Sequence, residues 1–193
     1  MSDEVAVEGG CSCRAVRYRL TVRPLFVNCC HCSWCQRETG SAFAVNAMVE
    51  TARVVLLSGA PVTIDTPSAS GRGQRIVRCP DCQVALWSHY AGAGPGIAFL
   101  RVGTLDAPGQ FPPDAHIFTS TRQAWVVLPG DARVFAEFYD PKTTWPAASL
   151  ERFRAARSRP GARFLEPWGT PEHRRPKKGP GRGERRGPRR ATE

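Results

Sequence analysis

Eight cysteines fall in three tight clusters, and no other feature of this chain restricts its fold as much. They are Cys11-Ser12-Cys13, Cys29-Cys30-His31-Cys32-Ser33-Trp34-Cys35 and Cys79-Pro80-Asp81-Cys82. Thiolates are soft donors suited to zinc, and a structural zinc takes four of them in a tetrahedron. A C-x-x-C turn folds back over two residues and presents both sulfurs to one ion. A C-x-C pair on a strand can do the same, because residues i and i+2 share a face. The pairs 11/13 and 79/82 therefore supply four ligands from opposite ends of a domain, and one zinc there would staple the first strand to a distant hairpin. Cys30, Cys32 and Cys35 remain as a compact triple. Three protein ligands and one open position are the signature of a catalytic zinc rather than a closed one.

Other uses of the same residues stay open at this point. The pairs could be redox thiols, or a sensor in which oxidation ejects the metal. The triple could be closed into a second structural site by Cys29, His31 or a remote residue. In extended chain, however, Cys29 points opposite to Cys30 and reads as a small buried apolar residue. His31 lies between two ligands and points away from their metal, which leaves it a hydrogen-bonding or solvent-facing role. His116 is the histidine best placed to reach a pocket, although a lone histidine on a strand is usually structural. His89 and His173 carry no signal.

Charge and compartment follow. The net charge is +10, but 14 of the 27 Lys and Arg and only five of the 17 Asp and Glu lie in residues 151–193. The body that holds the cysteines is close to neutral, so the basic character belongs to the tail. Met1-Ser2-Asp3-Glu4 is acidic and leads into no apolar segment, which argues against a secretory signal. No run approaches the ~18 continuous apolar residues of a membrane span. A cytoplasmic location is expected, and in that reducing pool close-set cysteines are metal ligands more often than disulfides.

Most of the body reads as short strands. Val16 to Val22 alternates apolar with polar residues, the period of a half-buried strand. Comparable runs occupy 43–50, 53–58, 62–66, 74–79, 84–90, 97–105, 115–119 and 124–128, separated by Gly, Pro, Ser and Asp. The pattern predicts a mostly β, antiparallel domain over residues 1–141. Cys32 to Thr39 predicts one or two helical turns closed by Gly40. A helix is expected within 142–159, starting near Thr144-Trp145-Pro146 and running through Leu150, Phe153 and Arg157. Residues 160–193, rich in Arg, Lys, Gly and Pro, are expected to be a disordered basic tail.

The order C-x-C, C-H-C-x-x-C, C-P-x-C resembles the glutathione-dependent formaldehyde-activating family, which also includes centromere protein V. The likeness extends to Gly9-Gly10 and Ala15-Val16-Arg17-Tyr18 around the first pair, and to Gln36-Arg37 and Gly40-Ser41-Ala42-Phe43 after the triple. It continues through Leu86-Trp87, Gly103-Thr104-Leu105-Asp106 and His116-Ile117-Phe118-Thr119-Ser120, so that it covers roughly residues 5–130. The resemblance implies a β-tent-like fold of small antiparallel sheets. It also implies a structural zinc at Cys11, Cys13, Cys79 and Cys82 and a second zinc at Cys30, Cys32 and Cys35, two per chain. The family often has glycine directly after the C-x-C and after the C-x-x-C, where the turn favours φ > 0. This chain has Arg14 and Gln83 there.

Function follows from the open thiolate triple. A substrate thiol in the fourth position of a zinc loses its proton more easily. It can then add to an aldehyde, or an S-hydroxymethyl adduct can be cleaved in reverse. The expected activity is that of a carbon–sulfur lyase acting on a small thiol such as glutathione and an aldehyde such as formaldehyde, with Cys30, Cys32 and Cys35 as the catalytic residues. The rival expectation is a non-enzymatic zinc module that binds nucleic acid or another polyanion through Arg174-Arg175-Pro176-Lys177-Lys178 and Arg185-Arg186-Gly187-Pro188-Arg189-Arg190.

Overall fold

The computed structural model describes residues 4–158, so the basic stretch at 160–193 lies outside the described residues. The described residues form ten strands in two sheets. The smaller sheet has the order β1-β2-β5, with β1 at Glu4–Gly10, β2 at Arg17–Val22 and β5 at Val54–Ser58. The larger contains β3 (Phe26–Cys30), β4 (Ala44–Glu50), β6 (Val62–Thr66) and β7 (Gln74–Arg78). It also contains β8 (Ala85–Tyr90), β9 (Ile97–Arg101) and β10 (Ala115–Ile117), in the order β10-β3-β4-β9-β8-β7-β6. The chain is mostly β, as the sequence predicts. No described helix is long and apolar enough to cross a membrane.

Alternation on β2 is what packs the two sheets together. Val16, just before the strand, and Tyr18, Leu20 and Val22 are buried, while Arg17, Arg19 and Thr21 stay partly exposed. Tyr18 and Leu20 join Val27, Ala47, Val49 and Leu100 of the larger sheet in one core. Each such side chain contributes about 1.5–3 kcal/mol by leaving water. Gly9 is required here, because a Cβ on it would lie 2.5 Å from the Thr104 carbonyl and 2.6 Å from the Tyr18 hydroxyl.

The opposite face of the larger sheet carries a second core. Phe26, Cys30, Met48, Ile97 and Ile117 meet Tyr139, Trp145 and Ala156 from the end of the described chain. There α2 (Pro141–Thr144) is capped by Asp140, whose carboxylate accepts from the Lys142 N–H at 2.9 Å. The helix α3 spans Ala147–Ser158. The helix expected to start near Thr144-Trp145-Pro146 and run through Leu150, Phe153 and Arg157 is α3; Trp145, between it and α2, is extended (ψ 152°), as suits the residue before Pro146.

Three further expectations are corrected. The larger sheet is not wholly antiparallel, since β10 runs parallel to β3. Residues 124–128 form no strand; Trp125 and Val127 are exposed among the described residues. The runs at 97–105 and 115–119 end early, at Arg101 and Ile117, where a 3-10 turn and a left-handed Phe118 (φ 55°) respectively break the extended chain. Two strands, β1 and β3, were not among the predicted runs. All five residues of β3 are buried, so it shows no alternation to read.

Candidate metal centres and the cavity beside them

The two outer cysteine pairs close on each other. The thiol sulfurs of Cys11, Cys13, Cys79 and Cys82 all lie within 4.8 Å of one another. Cys11 is 3.4 Å from Cys13, and Cys13 is 3.6 Å from Cys79. Each pair sits in a tight turn of similar build. The Cys11 N–H donates to the Val16 carbonyl and the Cys79 N–H to the Val84 carbonyl, both at 3.1 Å. The Cys11 carbonyl accepts from Arg14 and that of Cys79 from Gln83, again at 3.1 Å. Arg14 (φ 67°) and Gln83 (φ 59°) are both left-handed, in the positions where glycine would serve that conformation best. The turns also hold negative charge at sulfur. The Val84 N–H, followed by Cys13, pulls the Cys82 thiol down to about 6. For Cys11, burial pushes the thiol up, but the Val16 N–H with Cys13 and Cys79 more than reverses it.

The triple is built by the junction of β3 with the helix α1 (Ser33–Thr39). Cys30 ends the strand, Cys32 caps the helix by accepting from the Cys35 N–H at 3.3 Å, and Cys35 lies one turn on. Gly40 terminates the helix in the left-handed conformation (φ 63°). The three sulfurs lie within 4.8 Å of one another, with Cys30 and Cys35 buried and Cys32 partly exposed. Hydrogen bonds from Cys30 and Cys35 pull the Cys32 thiol down, whereas the same contact with Cys32 pushes Cys30 up. One member of the group thus takes the charge first. Both cysteine groups offer the donor set of a metal site.

A third group is the one the sequence did not disclose. Cys29, His31 and His116 bring their donor atoms within 4.8 Å. The parallel pairing of β10 with β3 sets His116 beside Cys29. His31 Nε2 is 3.0 Å from His116 Nδ1 and 3.6 Å from the Cys29 sulfur. The imidazoles stack with centroids 5.3 Å apart. Burial, then the His116 and Arg122 charges, push His31 down to about 4, so it is neutral at pH 7. His31 Nδ1 is buried with no hydrogen-bond partner. The pair, with the His31 N–H donating to the Ile117 carbonyl at 3.0 Å, holds the backbone between Cys30 and Cys32 against β10. Neither Cys29 nor His31 belongs to the triple. His89 Nδ1 donates to the Ile97 carbonyl at 2.9 Å and belongs to none of these groups, and His173 lies outside the described residues.

A cavity of about 390 Å³ opens over the triple, with Cys30, Cys32 and Cys35 in its wall. Its most unusual polar member is Arg101, only 6% exposed. The guanidinium donates to Asn46 Oδ1 and, at 3.2 Å, to Ser88 Oγ, while its Nε is buried without a partner. Its charge also favours the thiolate of Cys35. The rest of the wall is largely apolar, with Met48, Phe99, Phe118, Phe138, Trp145 and Phe153. None of these was singled out from the sequence as a site residue, because their spacing is that of ordinary core positions.

The family model described as "Glutathione-dependent formaldehyde-activating enzyme" matches residues 6–121. A protein of Halomonas elongata named "Putative glutathione-dependent formaldehyde-activating enzyme" is 27% identical over 142 residues, covering 69% of this chain and 89% of its own. A solved structure of a Rhodobacter sphaeroides protein, 17% identical, aligns over 66% of this chain and 98% of its own with a TM-score of 0.42.

Proposed function

The chain belongs to the glutathione-dependent formaldehyde-activating enzyme family, and on that premise we propose that it catalyses carbon–sulfur bond formation or cleavage between a small thiol of the glutathione type and an aldehyde. The observation that carries this is the Cys30, Cys32, Cys35 group in the wall of a cavity large enough for an organic ligand. Three soft sulfurs in mutual reach suit zinc with one position left for substrate. The four-sulfur group of Cys11, Cys13, Cys79 and Cys82 suits a closed structural ion, giving two zinc ions per chain.

Bound at the triple, zinc supplies a Lewis acid and a template, and eases loss of the proton from a thiol in its open position. Cys30 and Cys32 are fixed by the end of β3 and the start of α1, so the sulfurs are oriented before substrate arrives. In the forward direction the thiol proton leaves to solvent and the sulfur lone pair forms the C–S bond. The carbonyl π pair moves to oxygen, which takes a proton from water. Cleavage reverses each step. Arg101 is the buried cation on the same wall, and a fixed positive charge there favours the oxygen as it turns anionic. A reducing cytoplasm would keep all of these thiols available. The polyanion-binding alternative depends on residues 160–193, which lie outside the described residues.

The test is zinc content per chain by native mass spectrometry for wild type and Cys35→Ser, alongside the rate of S-hydroxymethylglutathione formation. Two zinc ions falling to one, with the fold kept and the rate lost, is the expected result. A zinc-loaded wild type that changes neither the rate nor the approach to equilibrium of any thiol–aldehyde pair would sink the proposal.

A further inference from the structure

The antiparallel register of the larger sheet lays one set of side chains along the cavity. Asn28 pairs with Asn46 and Asn46 with Arg101, while Met48 pairs with Phe99 and Phe99 with Ser88. Paired residues share a face of the sheet, and so do residues two apart on one strand. That rule adds Cys30 on β3 and Tyr90 on β8 to the same face. Tyr90 accordingly lines the cavity together with Cys30 and Arg101.

The other polar groups of this face are already committed. Arg101 donates to Asn46 and Ser88, and Asn28 accepts from the Tyr139 hydroxyl. Tyr90 differs. Its half-buried ring meets Phe99 edge-on with centroids 4.7 Å apart, yet its hydroxyl makes no hydrogen bond among the described residues. Beyond burial, the charges that act on the phenol are those of Cys35, Arg101, Cys30 and Cys32, all in the cavity wall. The hydroxyl end therefore looks towards the triple and Arg101. Burial, then the Cys35 charge, push the phenol above its ordinary range, so at neutral pH it keeps its proton and stays a donor. A free donor in a largely apolar wall is the kind of group that orients a ligand.

Resting on the thiol–aldehyde reading above, we infer that Tyr90 is a catalytic residue whose hydroxyl donates a hydrogen bond to the aldehyde oxygen beside Arg101. As the sulfur lone pair forms the C–S bond, the carbonyl π pair moves to oxygen and negative charge develops there. The Tyr90 O–H and the Arg101 charge meet it. The oxygen then takes its proton from water, and Tyr90 keeps its own. In cleavage the same donor holds the adduct oxygen while that proton returns to solvent. A hydrogen bond that strengthens only as charge appears lowers the barrier without tightening substrate binding.

Tyr90→Phe keeps the ring against Phe99 and removes only the oxygen. In the zinc-loaded full chain it should lower kcat for S-hydroxymethylglutathione formation and cleavage about 10–100-fold, leaving KM for glutathione within about twofold. A second readout needs no turnover. Calorimetry compares S-acetylglutathione, which has an oxygen on the carbon bound to sulfur, with S-ethylglutathione, which has none. Wild type should bind the acetyl compound about fivefold more tightly, and Tyr90→Phe should remove that preference. Equal kcat in variant and wild type, no acetyl preference in wild type, or a preference that the variant keeps would overturn the inference. Wild-type turnover that Tyr90→Phe leaves intact refutes the role of Tyr90 and spares the thiol–aldehyde function. Absence of wild-type turnover with any thiol–aldehyde pair, beside an acetyl preference that Tyr90→Phe removes, refutes that function and keeps the hydroxyl at the ligand oxygen.

Discussion

Arg14 and Gln83 are backbone counterparts, each directly following the last cysteine of its half-site and each left-handed, at φ 67° and 59°. They stand 69 positions apart in sequence, yet the same hydrogen bond, from their own N–H to a cysteine carbonyl three or four residues back, draws both turns around one four-sulfur group.

A non-glycine residue in this conformation costs roughly 1–2 kcal/mol, and glycine returns about 0.5–1 of that through the entropy of the unfolded chain. Arg14→Gly should therefore stabilise the protein by about 0.5 kcal/mol. Gln83→Gly should be near neutral, because it also removes the bond from Gln83 Nε2 to the Pro80 carbonyl, 2.6 Å long. Urea midpoints of the two variants, measured with metal bound, check the difference. A larger gain for Gln83→Gly would contradict it.

Tyr139 connects the wall of the cavity to the sheet by accepting from Trp145 and donating to Asn28. All three residues are buried. Tyr139→Phe leaves an indole N–H and an amide oxygen without partners, at an expected cost of about 1–3 kcal/mol. Equilibrium unfolding of the variant is the measurement. A loss below 0.5 kcal/mol, on the order of an exposed substitution, would show that water replaces the hydroxyl.

Arg152 makes two parallel charge-assisted bonds to Glu50, and both side chains are mostly covered. Arg152→Ala should cost about 2 kcal/mol, and Arg152→Lys should recover less than half, since an ammonium cannot reproduce the fork. Loosening would centre on α3, so proteolysis after residue 140 should quicken in Arg152→Ala before the sheets unfold. Uniform protection in wild type and variant would argue against a local tie.

His89, which belongs to none of the cysteine groups, gives the fold a pH dependence. Burial, reinforced by the Arg75 charge and only partly offset by the Ile97 carbonyl, holds its pKa below the ordinary value. The unfolded chain therefore binds this proton first. The stability is complete above about pH 6.5 and is lost as pH falls through that value towards the lower folded pKa. Between pH 7.5 and 5.5, wild type should lose more stability than His89→Gln, which has no proton to bind. Paired urea titrations at the two pH values test it, and parallel losses would show that His89 titrates normally.

Local information carried much of this far. The alternation from Val16 to Val22 announced β2, and the capping chemistry of Cys32 and Gly40 announced α1. The three cysteine clusters are legible because ligand spacing within a turn is itself local geometry. By contrast β3 was hidden by burial on both faces, and the run at 124–128 has strand composition but pairs with no strand among the described residues.

The sequence by itself therefore determined a mostly β chain, the two sulfur groups and the family, since each depends on residues close together or on motifs kept in order. Only the tertiary structure decided three other things. It set His116 against His31 through a parallel pairing of β10 with β3, buried Arg101 beside the triple, and brought Phe138, Trp145 and Phe153 over Cys30. Those contacts join residues 66 to 123 positions apart, and no spacing along the chain records which side chains meet once two sheets and a terminal helix have packed.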